Sequence, residues 1–470
     1  METQKKPHAV FLPFPAAGHA NPLMQLAEIL HSRGFHITFV YTEHFYRQLV
    51  KSGGSNSIPD LAPDFQFVCL PDNLPATLPD IGTKCTLTQK NCTEPFKNLL
   101  RQLMEKTPPP SCVISDAVMT FAMHAAKEFG LPEVQFWTAS ACGFLGNHVF
   151  EELIQRGILP LKDESYMENG FLDTPLDWVP GMKHMRLRDV NTFVYTTTPN
   201  DTMINYCIEQ MKNCQRSGAI VVNTFHELEK DVLDALATYY PPIYTIGPLA
   251  NLTDGHLKDN TQNLSIFEAN KECLTWLDSK APNSVVYVNF GSHASMTMEQ
   301  TKEFGWGLAK CGFDFLWVVR PNIVKGEKVA MDEIFFEEIK DRGLVVSWSP
   351  QEMVLKHTSL GLFVTHAGWN SLLEAIVGGV PLVCWPIVAE QVTNCRQLCK
   401  VWSNGMELDK NVSRDIVAEL VKEMMEGESG KEKRRIALEW KREAEEATSP
   451  GGSSSLSLDK LIKHVMLKSE

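Results

Sequence analysis

Apolar residues first run together from His8 to Phe14, break at a Pro/Gly loop, return at helical spacing over about Asn21 to Ser32, and run together again in HITFVYT. That succession predicts strand, helix, strand. The runs CVISD (Cys112 to Asp116), EVQFW (Glu133 to Trp137) and AIVVN (Ala219 to Asn223) follow, with helical patterns between them. Short, wholly apolar strands separated by helices predict a parallel sheet covered on both faces. Leu70 to Cys92 and Leu159 to Val190 interrupt the alternation. Rich in Pro, Gly and Asp, they are expected as long surface connections of the kind that line binding sites.

Tyr239 to Asn263 is polar and punctuated by Pro and Gly, which marks a linker. Beyond it the alternation restarts with SVVYVNF (Ser284 to Phe290), FLWVVR (Phe315 to Arg320), GLVVSW (Gly343 to Trp348), GLFVTH (Gly361 to His366) and PLVCW (Pro381 to Trp385). The tail from Gly451 to Glu470 is a Gly/Ser hinge followed by an amphipathic helix, which needs a surface to dock on. The expected architecture is α/β: a doubly wound, Rossmann-like domain over residues 1–245, a linker over 246–264, a second such domain over 265–450, and a helix over 451–470 packing back on the first domain. Two domains of this kind facing a cleft turn the carboxyl ends of both sheets toward it, where ligands of open α/β sheets bind.

The length of 470 residues fits two domains, and 44% hydrophobic with 21% charged residues is the balance of a compact globular chain. A net charge of −13 without a long Lys/Arg run argues against nucleic acid or an anionic membrane surface as partner. The twelve cysteines include no CxxC pair, and Cys395 and Cys399 lack His neighbours at zinc spacing, so they read as reduced thiols of a cytoplasmic protein without a metal. Prolines and Gly18 interrupt the apolar start, so it reads as a first strand rather than a leader. No run of eighteen apolar residues occurs, and no membrane span is expected.

The chemistry is sought in the loops after strands. THAGWNSLLEAIVGG follows one of them: Gly368 strips the helix start of a side chain, while Asn370 and Ser371 bring donors to amides and a dipole that attract phosphate. Taken by itself the segment is equally an Asn/Ser cap. The longer stretch Trp348 to Gln391, WSPQEMVLKHTSLGLFVTHAGWNSLLEAIVGGVPLVCWPIVAEQ, resembles the donor signature of plant UDP-sugar-dependent small-molecule glycosyltransferases, of glycosyltransferase family 1. NGFLDTPLDWVPGM and PPIYTIGPL are most similar to the branch that holds iridoid, terpenoid and cyanohydrin glucosyltransferases.

This resemblance implies a GT-B fold and a monomeric enzyme that transfers glucose from UDP-glucose to a hydroxyl, or a carboxyl, of a small apolar metabolite such as a terpenoid, iridoid, cyanohydrin or phenolic. It implies that Trp348 stacks on uracil, that Gln351 and Glu374 hold the ribose, and that His366, Gly368, Asn370 and Ser371 bind the diphosphate. Trp369, Glu390 and Gln391 are implied at the sugar, and Ser292, Ser349 and Thr138 complete the donor set. UDP-glucose is then a co-substrate and no cofactor is needed. The chain has no Asp-x-Asp to hold a divalent ion, which leaves helix dipole and side-chain donors to stabilise departing UDP.

His19 follows Gly18 at the end of the first strand, placed to take a proton from an acceptor, and Asp116 ends another strand of the same domain. The resemblance assigns them as general base and orienting carboxylate, with inversion to a β-glucoside. Phe14, Val118, Asn147 and His293 are acceptor candidates by position, with the loops near Pro75 to Thr93 and Arg186 to Thr202 finishing the pocket. Ala17 stands where many relatives carry Gln, which removes any contact from that side chain. A nucleotide-dependent dehydrogenase would need the absent G-x-G-x-x-G. A sugar-nucleotide epimerase needs no acceptor, and a UDP-sugar sensor needs no base.

Overall fold

The computed structural model describes residues 6–53, 62–75, 78, 80–253, 270–292, 294–321, 323–324 and 331–467. The chain divides into two compact units, Met1–Ile266 with Glu446–Glu470, and Phe267–Glu445. The first unit is built on seven strands: β1 (His8–Leu12), β2 (His36–Thr42), β3 (Phe65–Leu70), β4 (Cys112–Asp116), β5 (Glu133–Trp137), β6 (Ala219–Val222) and β7 (Ile243–Thr245), in the order β3-β2-β1-β4-β5-β6-β7. The second holds β8 (Val285–Asn289), β9 (Asp314–Val318), β10 (Gly343–Val346), β11 (Leu360–Thr365), β12 (Leu382–Cys384) and β13 (Gly405–Glu407), in the order β10-β9-β8-β11-β12-β13. Every pairing in both sheets is parallel.

The strands are apolar throughout because both faces of the sheet are covered. In β1, Ala9 and Phe11 pack on one side among residues of the helix Ala17–Ser32, while Val10 and Leu12 pack on the other with Phe96 and Leu100 of the helix Ile81–Met104. Leu458, Leu461 and Met466 from the chain's end lie in the first of these cores, and Ser454 Oγ donates to the Gly247 carbonyl at 2.6 Å. In both sheets the chain builds outward from its first strand and then crosses to that strand's other side, so that β4 lies beside β1 and β11 beside β8. Loops leave such neighbours in opposite directions and open a crevice at the strands' carboxyl ends.

Three expectations are corrected. Ile81 to Cys92, expected within a surface connection and an acceptor loop, belongs to the helix Ile81–Met104, started by Asp80, whose carboxylate accepts from Thr83 N at 2.7 Å. Its buried stripe begins with Cys85, Thr88 and Cys92, side chains too small and mixed to stand out as an amphipathic pattern. The start of the expected linker is not a linker: Ile246 and Leu249 are buried in the first unit's core, where the short edge strand β7 leads into the helix Leu249–Thr253. The rest of that linker, residues 254–264, lies outside the described residues. Leu159 to Val190 is irregular but not merely superficial, since Leu161, Leu172, Leu176, Met182, Met185 and Leu187 are buried. Among the described residues no helix is long and apolar enough to cross a membrane.

Candidate active site

In the first unit, β1 runs into a turn and the helix Ala17–Ser32, whose first turn carries His19. Asp116 is the last residue of β4, the strand beside β1, and its Oδ2 lies 2.7 Å from His19 Nδ1. The carboxylate is 1% exposed and also accepts from Val118 N at 3.1 Å and Phe14 N at 3.4 Å, whereas the His19 side chain is 33% exposed. An ionised carboxylate has no proton to give, so Nδ1–H donates to Asp116 and the lone pair stands on Nε2. Thr138, after β5, brings its Oγ1 to 2.9 Å from the same Nδ1, where it shares the one N–H with Asp116 as a second acceptor. The Phe14 ring lies 5.1 Å from the imidazole, centre to centre. The arrangement is a base held by an orienting acid.

In the second unit, Asn289 ends β8 and the turn through Gly291 and Ser292 follows, next to the loop that leaves β11 at His366. Gly291 has φ +68°, and a Cβ there would stand 2.6 Å from the His366 ring; one on Gly368 would stand 2.5 Å from His366 Nε2. The two glycines are what let the imidazole lie against both turns. The helix Trp369–Gly378 starts at Gly368 with no acidic residue in its first turn and no side chain closing its end. A helix start of this kind, with a glycine at its cap and its dipole unopposed by acid, suits an anion.

Gln351 joins these parts. Its Nε2 donates to Ser371 Oγ at 2.9 Å and to Glu374 at 2.7 Å, and its Oε1 accepts from Asn289 Nδ2 at 2.8 Å and Tyr287 OH at 3.2 Å. Ser349 Oγ lies 2.8 Å from the Tyr287 hydroxyl. Burial pushes the Glu374 carboxyl up to about 7, and the hydrogen bond from Gln351 offsets part of that rise. Trp348 is partly exposed, as an indole offered to a planar base must be. Trp369 is 3% exposed and its ring packs 5.8 Å from that of Trp402, so the indole belongs to the core. Gln391 turns its Oε1 to Ile387 N and Val388 N, both at 3.0 Å, which leaves its amide N–H₂ to offer.

Ser292, Asn370 and Glu390 are partly exposed, Val118 likewise, and Phe14 and Asn147 are buried, the latter accepting from Asn191 Nδ2 at 3.2 Å. His293 lies outside the described residues. Asn289 and Tyr287, which hold Gln351, went unmarked in the sequence because both read as ordinary strand residues of SVVYVNF. Among the described residues no three His, Cys, Asp or Glu side chains stand together in a way that could hold a metal ion.

Residues 259–437 match the family described as UDP-glucoronosyl and UDP-glucosyl transferase. The chain is 50% identical to a 7-deoxyloganetin glucosyltransferase of Gardenia jasminoides, over 99% of this chain and 98% of the relative. It is 48% identical to the (R)-mandelonitrile beta-glucosyltransferase of Prunus dulcis over the same shares. Among solved structures, Phytolacca americana UGT2 complexed with UDP-2fluoro-glucose and pterostilbene matches with a TM-score of 0.81 at 30% identity, covering 97% of this chain and 99% of that one. Two parallel sheets in two units, matched over nearly the whole length, make the fold GT-B. With its strand ends, its bare helix start and these relatives, the chain belongs to the UDP-glucosyltransferases, enzymes that move a sugar from a UDP-sugar to a small molecule.

Proposed function

We propose that this enzyme transfers glucose from UDP-glucose to a hydroxyl of a small, largely apolar plant metabolite with inversion at C1, His19 serving as general base and Asp116 as its orienter. The observation that carries the mechanism is the 2.7 Å contact between His19 Nδ1 and Asp116 at neighbouring strand ends. Nε2 takes the acceptor's proton as its oxygen attacks C1 from the face opposite UDP. Asp116 stabilises the imidazolium that results. One displacement without a covalent intermediate turns the α-linked donor into a β-glucoside.

In this reading the first unit takes the acceptor, with Phe14, Val118 and Asn147 near it, and the second takes the donor. Trp348 stacks on uracil, Glu374 and Gln351 receive the ribose hydroxyls, and His366, Ser292, Asn370, Ser371 and the helix amides hold the diphosphate. Backbone at Trp369, with Glu390 and Gln391, meets the glucose. The helix start and neutral donors supply the charge stabilisation that a metal supplies elsewhere. Relatives named for an iridoid and a cyanohydrin substrate support acceptors of that size. Twelve free cysteines support a cytoplasmic setting.

The test is incubation with UDP-glucose and an aliphatic or benzylic alcohol in EDTA, with the product's anomeric proton read by NMR. A β-glucoside formed at the rate seen without chelator is expected. An α-linked product, or activity only on adding magnesium or manganese, overturns the corresponding part of the proposal.

A further inference from the structure

Lys84 stands in the first turn of the helix Ile81–Met104 and has no part in the chemistry above. Its Nζ donates to the Pro15 carbonyl at 2.6 Å and lies 5.2 Å from the centre of the Phe14 ring. That ring is the one beside His19, so ammonium and imidazole flank a single phenyl group on the loop leaving β1. An ammonium has three N–H donors, and Pro15 takes one.

The carboxylates around it are committed elsewhere. Asp80 caps the helix through Thr83 N and Oγ1, both at 2.7 Å. Asp72 is 0% exposed and accepts from His44 N at 2.8 Å and Leu74 N at 3.1 Å. Asp116 is held by His19 and two backbone amides. No ion pair to Lys84 forms among the described residues. Burial accordingly pulls the Lys84 ammonium below its ordinary value, with the neighbouring Cys85 and Asp72 opposing only part of the effect. A partly desolvated cation with donors to spare is stabilised by an anion that enters beside it. The Phe14 ring face and one carbonyl balance part of the ammonium's charge and take one of its N–H donors, which leaves the other donors for a ligand.

We propose that Lys84 makes the acceptor site of this chain selective for aglycones that carry a carboxylate at the end remote from the hydroxyl that is glucosylated. The carboxylate pairs with Nζ on one side of Phe14 while the hydroxyl meets His19 Nε2 on the other. This rests on the reading of His19 as the base.

The experiment compares three para-substituted benzyl alcohols with UDP-glucose: 4-(hydroxymethyl)benzoate, its methyl ester, and 4-methylbenzyl alcohol. The wild-type enzyme is expected to prefer the acid to its ester by about 10- to 100-fold in kcat/KM, the range of one hydrogen bond to a charged group, with the gap lying in KM. Lys84→Met brings the acid-to-ester ratio to near one, and Lys84→Arg retains most of it. The ratio cancels any general damage to the loop, so a residue that merely props Pro15 lowers both substrates together and leaves the ratio unmoved. A wild-type ratio near one, or a ratio that survives Lys84→Met, overturns the proposal. Glucosylation of 4-methylbenzyl alcohol with the acid refused overturns it alone, while failure of all three alcohols overturns the acceptor reading on which it stands.

Discussion

The two sheets share the order of their first six strands, yet they end those strands in different chemistry. Where β1 and β4 lie side by side, the first unit sets His19 against Asp116, whose carboxylate is held by two backbone amides. Where β8 and β11 lie side by side, the second unit sets glycines, an imidazole between them and a bare helix start. A base must hold and release a proton, which calls for a titratable side chain and a fixed partner. A diphosphate must be approached closely by many neutral donors, which calls for side chains to be removed. One topology serves both because the sheet supplies only the crevice; the residue at the strand's end supplies the reaction.

The comparison is broken most sharply at His19. His19→Ala is expected to lower kcat by about 10² to 10⁴-fold, the usual contribution of a positioned base, while UDP affinity measured by calorimetry stays at the wild-type value. Asp116→Asn shifts kcat in the same direction, because an amide N–H turned toward Nδ1 selects the tautomer whose Nε2 is already protonated. A folded His19→Ala enzyme that keeps wild-type kcat on an aliphatic alcohol ends the assignment.

The second unit answers to a backbone change instead. Gly291→Ala puts a methyl 2.6 Å from the His366 ring at φ +68°. The left-handed conformation costs a side chain about 1–2 kcal/mol of stability in the free and liganded protein alike, while relieving the clash displaces the imidazole, so UDP binding is expected to weaken by about tenfold, the range of one lost hydrogen bond. The chemical step on saturated enzyme should change little by comparison, the reverse of His19→Ala. Unaltered UDP affinity in this variant would falsify the role given to that turn.

The smallest effect is in pH. Burial pushes the Glu374 carboxyl up to about 7, and in the proposed donor reading ribose hydroxyls donate to its ionised form, so binding is expected to expel a proton below that pH. UDP affinity should fall by about tenfold from pH 8 to pH 6, and Glu374→Gln should flatten that slope. The sign for stability is opposite. A carboxyl raised in the folded state is ionised earlier in the unfolded chain, so its contribution to stability is lost as pH rises from about 4.5 through 7.

Much of this was legible because strong apolar runs and a long motif carry their own period and spacing. β1, β2, β4, β5 and β6 stand at or within a residue or two of runs visible in the sequence, and the donor signature names most of its own residues. The three-residue strands β7 and β13 carry too few positions for alternation to show, and FQFVCL of β3 lies at a sheet edge with mixed exposure. Lys84 was hidden in the same way, in the first turns of a helix whose buried face there is Gly, Cys and Thr and reaches Phe and Leu only further on.

The sequence by itself determined what is local: which runs become strands, that a helix starts bare at Gly368, and that a histidine follows the first strand at Gly18. Only the tertiary structure decided which distant groups meet. Asp116 is 97 residues from His19 and reaches it because β4 lies beside β1. Gln351 gathers Asn289 from the end of β8 and Ser371 and Glu374 from the helix Trp369–Gly378, and Lys84 arrives at Phe14 on a helix. Strand adjacency and helix docking are set by how whole faces bury against one another, a property no window of sequence contains.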